Sequence, residues 1–320
     1  MKRTVQRLLA GIGLMALAAA APASAAEKTI GFAMPDLASS FWVSVTYGVE
    51  DEAKAAGVTI AKVNAGGDAN ASQQIAQIQD LIQKKVDAII VGATNGDAVK
   101  AVVEQAVAAG IPVIGVSSPP NSDKLASVVS ADHYDMGKLQ AECLAKAMGG
   151  KGAVAMMAGP SGQAWSDLRA NGFRETLAKV APDITIIAES RLADNRNAAL
   201  TTAEDWIQRF PELTGVYSAT DDMAAGIITA LKAADKLGSV KVSASNLSPT
   251  AQQLLKDGEL ACTSIQQIVA QGRAAVKEAI AAADGGTVEK SVVTPALLVT
   301  AENLDTVDLS SVVAPGDYRP

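Results

Sequence analysis

The sequence predicts an α/β protein built as two doubly wound parallel-sheet lobes joined by a hinge. Three observations predict it. Short, continuously apolar runs alternate with segments of helical period, that series occurs twice, and no Ser/Gly-rich or charged tether separates the two series. In the first series "KTIGFAM" (28–34) reads as a strand, and the segment after it as a helix with Val45, Val49, Ala53 and Ala56 on one face. "VTIAKVN" (58–64) is a second strand, and the helix that follows carries Ile75, Ile78, Leu81 and Ile82 at helical spacing. "VDAIIVG" (86–92), a helix over 98–109 closed by Gly110, and "IPVIGVS" (111–117) complete this series. Apolar runs without alternation fit strands covered by helices on both faces. In the second series "GAVAMMAG" (152–159), "ITIIAES" (184–190), "LTGVYSAT" (213–220), "VKVSASN" (240–246) and "LACTSIQ" (260–266) read as strands separated by helical segments. "SVVSADHYDMG" (127–137) is the expected crossing between the lobes, structured chain rather than a tether.

Residues 1–26 read as an export leader: Lys2, Arg3 and Arg7 precede an apolar run over 8–20, and Ala23 and Ala25 form a small-residue exit. Removing that leader takes three of the 27 basic residues and none of the 34 acidic ones, so the formal charge moves from −7 to −10. An acidic surface without a basic run repels phosphate backbones, so nucleic acid is not an expected partner. Beyond the leader no apolar stretch reaches the ~20 residues a bilayer requires, and the 49% hydrophobic content supplies ample core. Two cysteines, Cys143 and Cys262, make no disulfide framework. They could pair in an oxidising compartment, but two buried free thiols is the preferred reading.

Catalytic chemistry is sparse. The single histidine, His133, excludes metal sites that need two, and it reads as a structural residue near the hinge. No phosphate-cradling glycine loop with a following Lys-Ser/Thr is present, and the glycine pair in "NAGGDAN" (64–70) lacks the dinucleotide fingerprint, so no cofactor and no enzyme activity is expected. What recurs instead is a polar or aromatic residue at the carboxyl end of nearly every strand, the edge where open α/β sheets bind ligands. The candidates are Ser39, Phe41 and Trp42; Asn95; Ser117 and Ser118; Trp165 and Arg169; and Asn195, Thr220, Asn246 and Gln266. Each also has a plain structural reading. Trp42 precedes Val45 and Val49 at helical spacing and could top a core face, Thr220 and Asp221 can cap the helix starting at Met223, and Arg169 can be a surface charge.

Across "TIGFAMPDLASSFWVSV", "KKVDAIIVGATNGDAV", "AAGIPVIGVSS", "RANGF", "TDDMAAGIITALKAA" and "LKDGELACTSIQQ" the chain resembles the periplasmic sugar-binding proteins of ABC importers, the ribose-binding-protein-like branch with the type I fold. The resemblance covers nearly the whole chain after the leader. It implies two lobes joined by three crossings, 27–130 with 267–294 and 131–266 with 295–320. It also implies a monomer in the periplasm that closes on a sugar, polyol or sugar-like acid and docks on a membrane permease. On the family pattern Phe41 and Trp42 match an aromatic pair that stacks on the sugar ring, Arg169 an arginine three residues before a Gly-Phe, and Gln266 a glutamine near a crossing. The departures are Ser39-Ser40 for Asn-Pro, Ser117-Ser118 for Asp-Arg, Asn246 for Asp, Thr220 for Asn and Asn195 for an aromatic. Losing two carboxylates and an arginine removes charge-assisted hydrogen bonds and argues against ribose itself.

"FWVSVTYGVEDEAKAAGV", "NAGGDAN" and "GPSGQAW" (159–165) also resemble periplasmic sensors of trimethylamine N-oxide that report to a membrane histidine kinase. That alternative makes Trp42 and Trp165 two walls of a cage for a methylated nitrogen. Arg169 would be a poor neighbour for such a group.

Overall fold

The computed structural model describes residues 28–320; the expected leader lies outside the described residues. The first sheet holds six strands: β1 Thr29–Met34, β2 Thr59–Asn64, β3 Ala88–Val91, β4 Val113–Val116, β5 Ser127–Ala131 and β11 Ser291–Thr294. All are parallel, in the order β11-β5-β4-β3-β1-β2. Helices α1 Ser40–Ala56 and α9 Ile268–Ala283 cover one face, and α2 Ala71–Lys84 and α3 Lys100–Ala108 the other. The alternation hidden inside the apolar runs shows here. Ile30, Phe32, Met34 and Ile90 pack under α1 and α9, while Ala33, Ile89 and Val91 pack under α2 and α3.

The second sheet repeats the plan with β6 Lys151–Met157, β7 Asp183–Ser190, β8 Leu213–Ser218, β9 Lys241–Ser245, β10 Cys262–Ile265 and β12 Leu297–Val299. Its order is β12-β10-β9-β8-β6-β7, parallel except for β12, which runs antiparallel on β10. Its helices are α4 His133–Ala147, α5 Ala164–Val180, α6 Arg196–Arg209, α7 Asp221–Ala233 and α8 Pro249–Lys256.

Several details depart from the sequence reading. The stretch read as a crossing is β5 followed by α4, so the chain changes sheets over Asp132. Strands β11 and β12 carry no long apolar run, since both are short edge strands with exposed positions. Ala56 is exposed at the last turn of α1, and β2, paired on one side only, is half-exposed.

The chain passes between sheets after β5, after β10 and between β11 and β12. One side chain ties the last two of these passages to the end of β4. Gln271, fully buried on α9, accepts from the Ser117 hydroxyl at 2.6 Å and donates to Gln266 at 3.1 Å and to Thr294 at 2.9 Å. The C-terminal segment adds a further link. Val312 and Val313 pack with the second core, while the Ala314 N–H reaches Ser44 and the Tyr318 hydroxyl reaches Glu50, both on α1.

Cys143 on α4 and Cys262 at the start of β10 are joined in a disulfide, which corrects the expectation of free thiols. The two lie 119 residues apart in sequence, so no spacing pattern betrays them. It is the packing of α4 across β9 and β10 that brings their Cα atoms to 6.7 Å. Closing so long a loop restricts the unfolded chain, so the Cys143→Ser, Cys262→Ser double variant should lose roughly 2 kcal/mol of stability by urea titration. An unchanged midpoint would show that the bond does not form in the folded protein.

Candidate functional site

A cavity of about 300 Å³ opens between the carboxyl ends of the two sheets, at the lower end of the size range of small-ligand sites. Ser39, Phe41, Trp42, Asn95, Ser117, Ser118, Trp165, Arg169, Thr220, Asn246 and Gln266 all line it. Asn195 does not. It is the N-cap of α6, its Oδ1 accepting from the Ala198 N–H at 3.0 Å, and its neighbour Asp194 lines the cavity instead.

From the first lobe, Ser39 caps α1 by accepting from the Phe41 N–H, and its own N–H donates to Asp36 at 2.7 Å. That cap aims the first turn of α1 at the cavity. Phe41 and Trp42 meet edge to face with centroids 5.2 Å apart. Trp42 is 7% exposed, most of its ring belongs to the core, and a Cβ on Gly92 would collide with that ring. It is chiefly a floor, whereas half-buried Phe41 is a wall.

Ser117 and Asn246 end β4 and β9 with φ of 58° and 74°, a left-handed backbone that non-glycine residues seldom adopt. Hydrogen bonds hold both. Ser117 N–H donates to Val129 and Asn246 N–H to Ser264, while Gln266 donates to Asn246 Oδ1 at 3.0 Å. Ser117, Gln271, Gln266 and Asn246 therefore form one chain of bonds from the first lobe to the second beneath the cavity.

Gln163, at the start of α5, joins the two lobes above. Its amide donates to the Thr94 carbonyl at 2.5 Å and its Oε1 accepts from the Ser118 hydroxyl at 3.1 Å. The lobes are shut on each other in this structure.

The second lobe supplies the charge. Arg169, 2% exposed, donates through Nη1 to the Ala219 carbonyl at 2.8 Å and through Nε to His133 Nδ1 at 3.3 Å, and its guanidinium lies 4.9 Å from the Trp165 ring centroid. Close packing of α4 and α5 sets this geometry. A Cβ on Gly137 would collide with the Arg169 carbonyl, and one on Gly172 with the Tyr134 carbonyl. Burial lowers the Arg169 pKa to about 10, with Tyr217, Asp194 and Asp221 opposing, so the side chain stays charged at neutral pH. Burial, and then the Arg169 charge, hold the His133 pKa well below the ordinary imidazole value. His133 is thus a neutral acceptor that orients Arg169 in the cavity wall, a role the sequence reading did not give it.

The sequence reading also passed over Asp36, Asp68, Gln163, Asp194, Asp221 and Asp222, which line the cavity too. Four of them, Gln163, Asp194, Asp221 and Asp222, sit within two positions of a flagged residue, and that adjacency was the available signal. Burial pushes Asp194 up to about 7, against a 2.6 Å hydrogen bond from Thr220, and Asp222, Asp221 and Asp68 push it further. Burial, then Asp36, pushes Asp68 up to about 6. Both residues are nonetheless exposed on the cleft, where water screens part of this effect. A carboxyl whose proton affinity rises on folding binds more protons folded than unfolded, so stability is highest at low pH and falls as pH climbs through the raised pKa. The melting temperature of ligand-free Asp194→Asn protein should accordingly fall less than that of the unchanged protein between about pH 5 and pH 8. Parallel falls would remove Asp194 as a strained carboxylate.

A family model described as periplasmic binding protein domain matches residues 30–287. Ribose import binding protein RbsB of Bacillus subtilis is 30% identical over 275 residues, covering 86% of this chain and 88% of that protein. Periplasmic protein TorT of Escherichia coli is 29% identical over 293 residues, covering 89% of this chain and 82% of that protein. Among solved structures, a carbohydrate transporter solute binding protein from Agrobacterium radiobacter in complex with D-arabinose superposes with a TM-score of 0.85. It shares 26% identity and covers 91% of this chain and 100% of that one.

Proposed function

The chain belongs to the periplasmic binding protein family, and on that footing we propose that it captures a sugar or sugar-like polar molecule by hinge closure and delivers it to an ABC permease. The lobes are 27–130 with 267–294 and 131–266 with 295–320. The protein works as a monomer in the periplasm, reached through the leader at 1–26. It binds rather than transforms its ligand, as this family does.

The observation that carries this reading is a cavity walled by both lobes and bridged by Gln163. A ligand held there touches both lobes only when they are shut, so its binding energy shifts the open-closed equilibrium toward the surface the permease reads. Phe41 offers apolar ring surface, while Arg169 and Asn95 fix hydroxyl groups. Importer is favoured over sensor of a methylated nitrogen by the rings themselves. Such a cage needs open ring faces, yet Trp42 is 7% exposed and Arg169 sits over Trp165.

A thermal-shift screen of the protein, stripped of ligand by unfolding and refolding, tests this against pentoses, hexoses, polyols, sugar acids and methylated amines. Ligand at ~100-fold its Kd adds about 2.7 kcal/mol and should raise the melting temperature by a few degrees. Hits confined to methylated amines would overturn the importer reading.

A further inference from the structure

The charge of the cavity narrows the ligand class, an inference that rests on the proposed function. The turn after β2 and the loop after β7 put carboxylates from different lobes on one cavity, Asp68 from the first and Asp194 from the second. Both residues line the cavity, and the charge of Asp68 is the weakest of the influences that raise Asp194. No cation lowers the proton affinity of either, and neither forms an ion pair among the described residues. Asp194 receives one hydrogen bond, from Thr220. Behind this pair, Asp36 stands beside Asp68, while Asp222 is paired with Arg196 and Asp221 accepts from the Ser248 N–H.

Against these carboxylates the lining holds one cation among the described residues. Arg169 has committed Nε to His133, Nη1 to Ala219 and one face to Trp165, which leaves Nη2 as its donor toward a ligand hydroxyl, and His133 is neutral. At neutral pH Asp68 is mostly ionised and Asp194 partly protonated; to the extent that both are charged they repel from facing lobes, and water in an open cleft screens them. A neutral ligand that expels this water leaves the repulsion standing in a drier site. An ammonium group placed between the two carboxylates turns the same charges into the force that shuts the cleft, and an anionic ligand meets them unfavourably.

We propose that the ligand is a polyhydroxylated amine, an amino sugar or amino polyol protonated at neutral pH, whose ammonium group bridges Asp68 and Asp194 across the cleft. Asn95 lines the same cavity, and its amide nitrogen is a donor for a hydroxyl group.

Isothermal titration of the refolded protein at neutral pH tests this with D-glucosamine, D-galactosamine and D-glucamine, each beside its neutral counterpart, N-acetyl-D-glucosamine, D-galactose and D-sorbitol. At least one amine should bind about tenfold or more tighter than its counterpart. Asp194→Asn and Asp68→Asn, each checked for an unchanged circular dichroism spectrum and cooperative melting, should both bring that ratio toward one. A neutral compound binding as tightly as its amine, or a preference surviving in both variants, overturns the proposal. The first of these outcomes leaves sugar capture intact. Binding of neither class overturns the proposal and leaves the sugar-capture reading to the wider thermal-shift screen.

Discussion

Replacing Arg169 with alanine should weaken ligand binding by about 100-fold or more, measured by titration calorimetry on whichever compound the screen identifies. Arg169 is buried on the cavity wall and is the only cation lining it among the described residues. Hydrogen bonds from a charged donor contribute roughly 1.5–3 kcal/mol each, and a loss of 2.7 kcal/mol corresponds to about 100-fold in affinity. The side chain also supports its surroundings: without it the Ala219 carbonyl and His133 Nδ1 lose their donor and Trp165 loses its stacked partner. Arg169→Lys separates the two roles. A lysine keeps the charge but cannot serve Ala219 and His133 from one planar fork, so it should recover only part of the affinity. Full affinity in the lysine variant would mean that the fork geometry is irrelevant, and full affinity in the alanine variant would mean that the site lies elsewhere.

Gly137→Ala should destabilise the fold by about 3 kcal/mol and lower the melting temperature by roughly 5–10 °C. The new methyl group would meet the backbone carbonyl of Arg169, which cannot swing aside as a flexible side chain can. Relief requires α4 and α5 to move apart. That movement would displace Arg169 from His133, so ligand affinity should fall with stability, and Gly172→Ala should do the same from the opposite helix. Gly238→Ala is the matched control. Nothing lies within 4 Å of its Cβ position, and its stability should stay within ~0.5 kcal/mol of the unchanged protein. Equal melting temperatures for Gly137→Ala and Gly238→Ala would contradict the close helix crossing.

The central strands were legible because burial on both faces leaves them no polar position, as β1, β3 and β4 illustrate. Edge strands β11 and β12 were not, since each is short and half-exposed and owes its conformation to a partner far away in sequence. The cavity was legible in outline for a topological reason: carboxyl ends of parallel strands converge on one edge, so residues flagged there met. Asn195 failed by one position. Its side chain went to the helix cap, as Asn readily does, and Asp194 took the place beside the cleft. Gln163 and His133 were invisible as site residues because their roles depend on which lobe faces them. The Cys143–Cys262 pairing likewise needed the placement of α4 on β10.

The central claim, that ligand shuts two lobes on each other, is tested most directly by small-angle X-ray scattering of the stripped protein with and without the compound identified by the screen. The predicted result is a radius of gyration that falls on saturation to the value calculated for this closed structure. Saturable binding with an unchanged radius, or a stripped protein already at the closed value, would contradict capture by hinge closure.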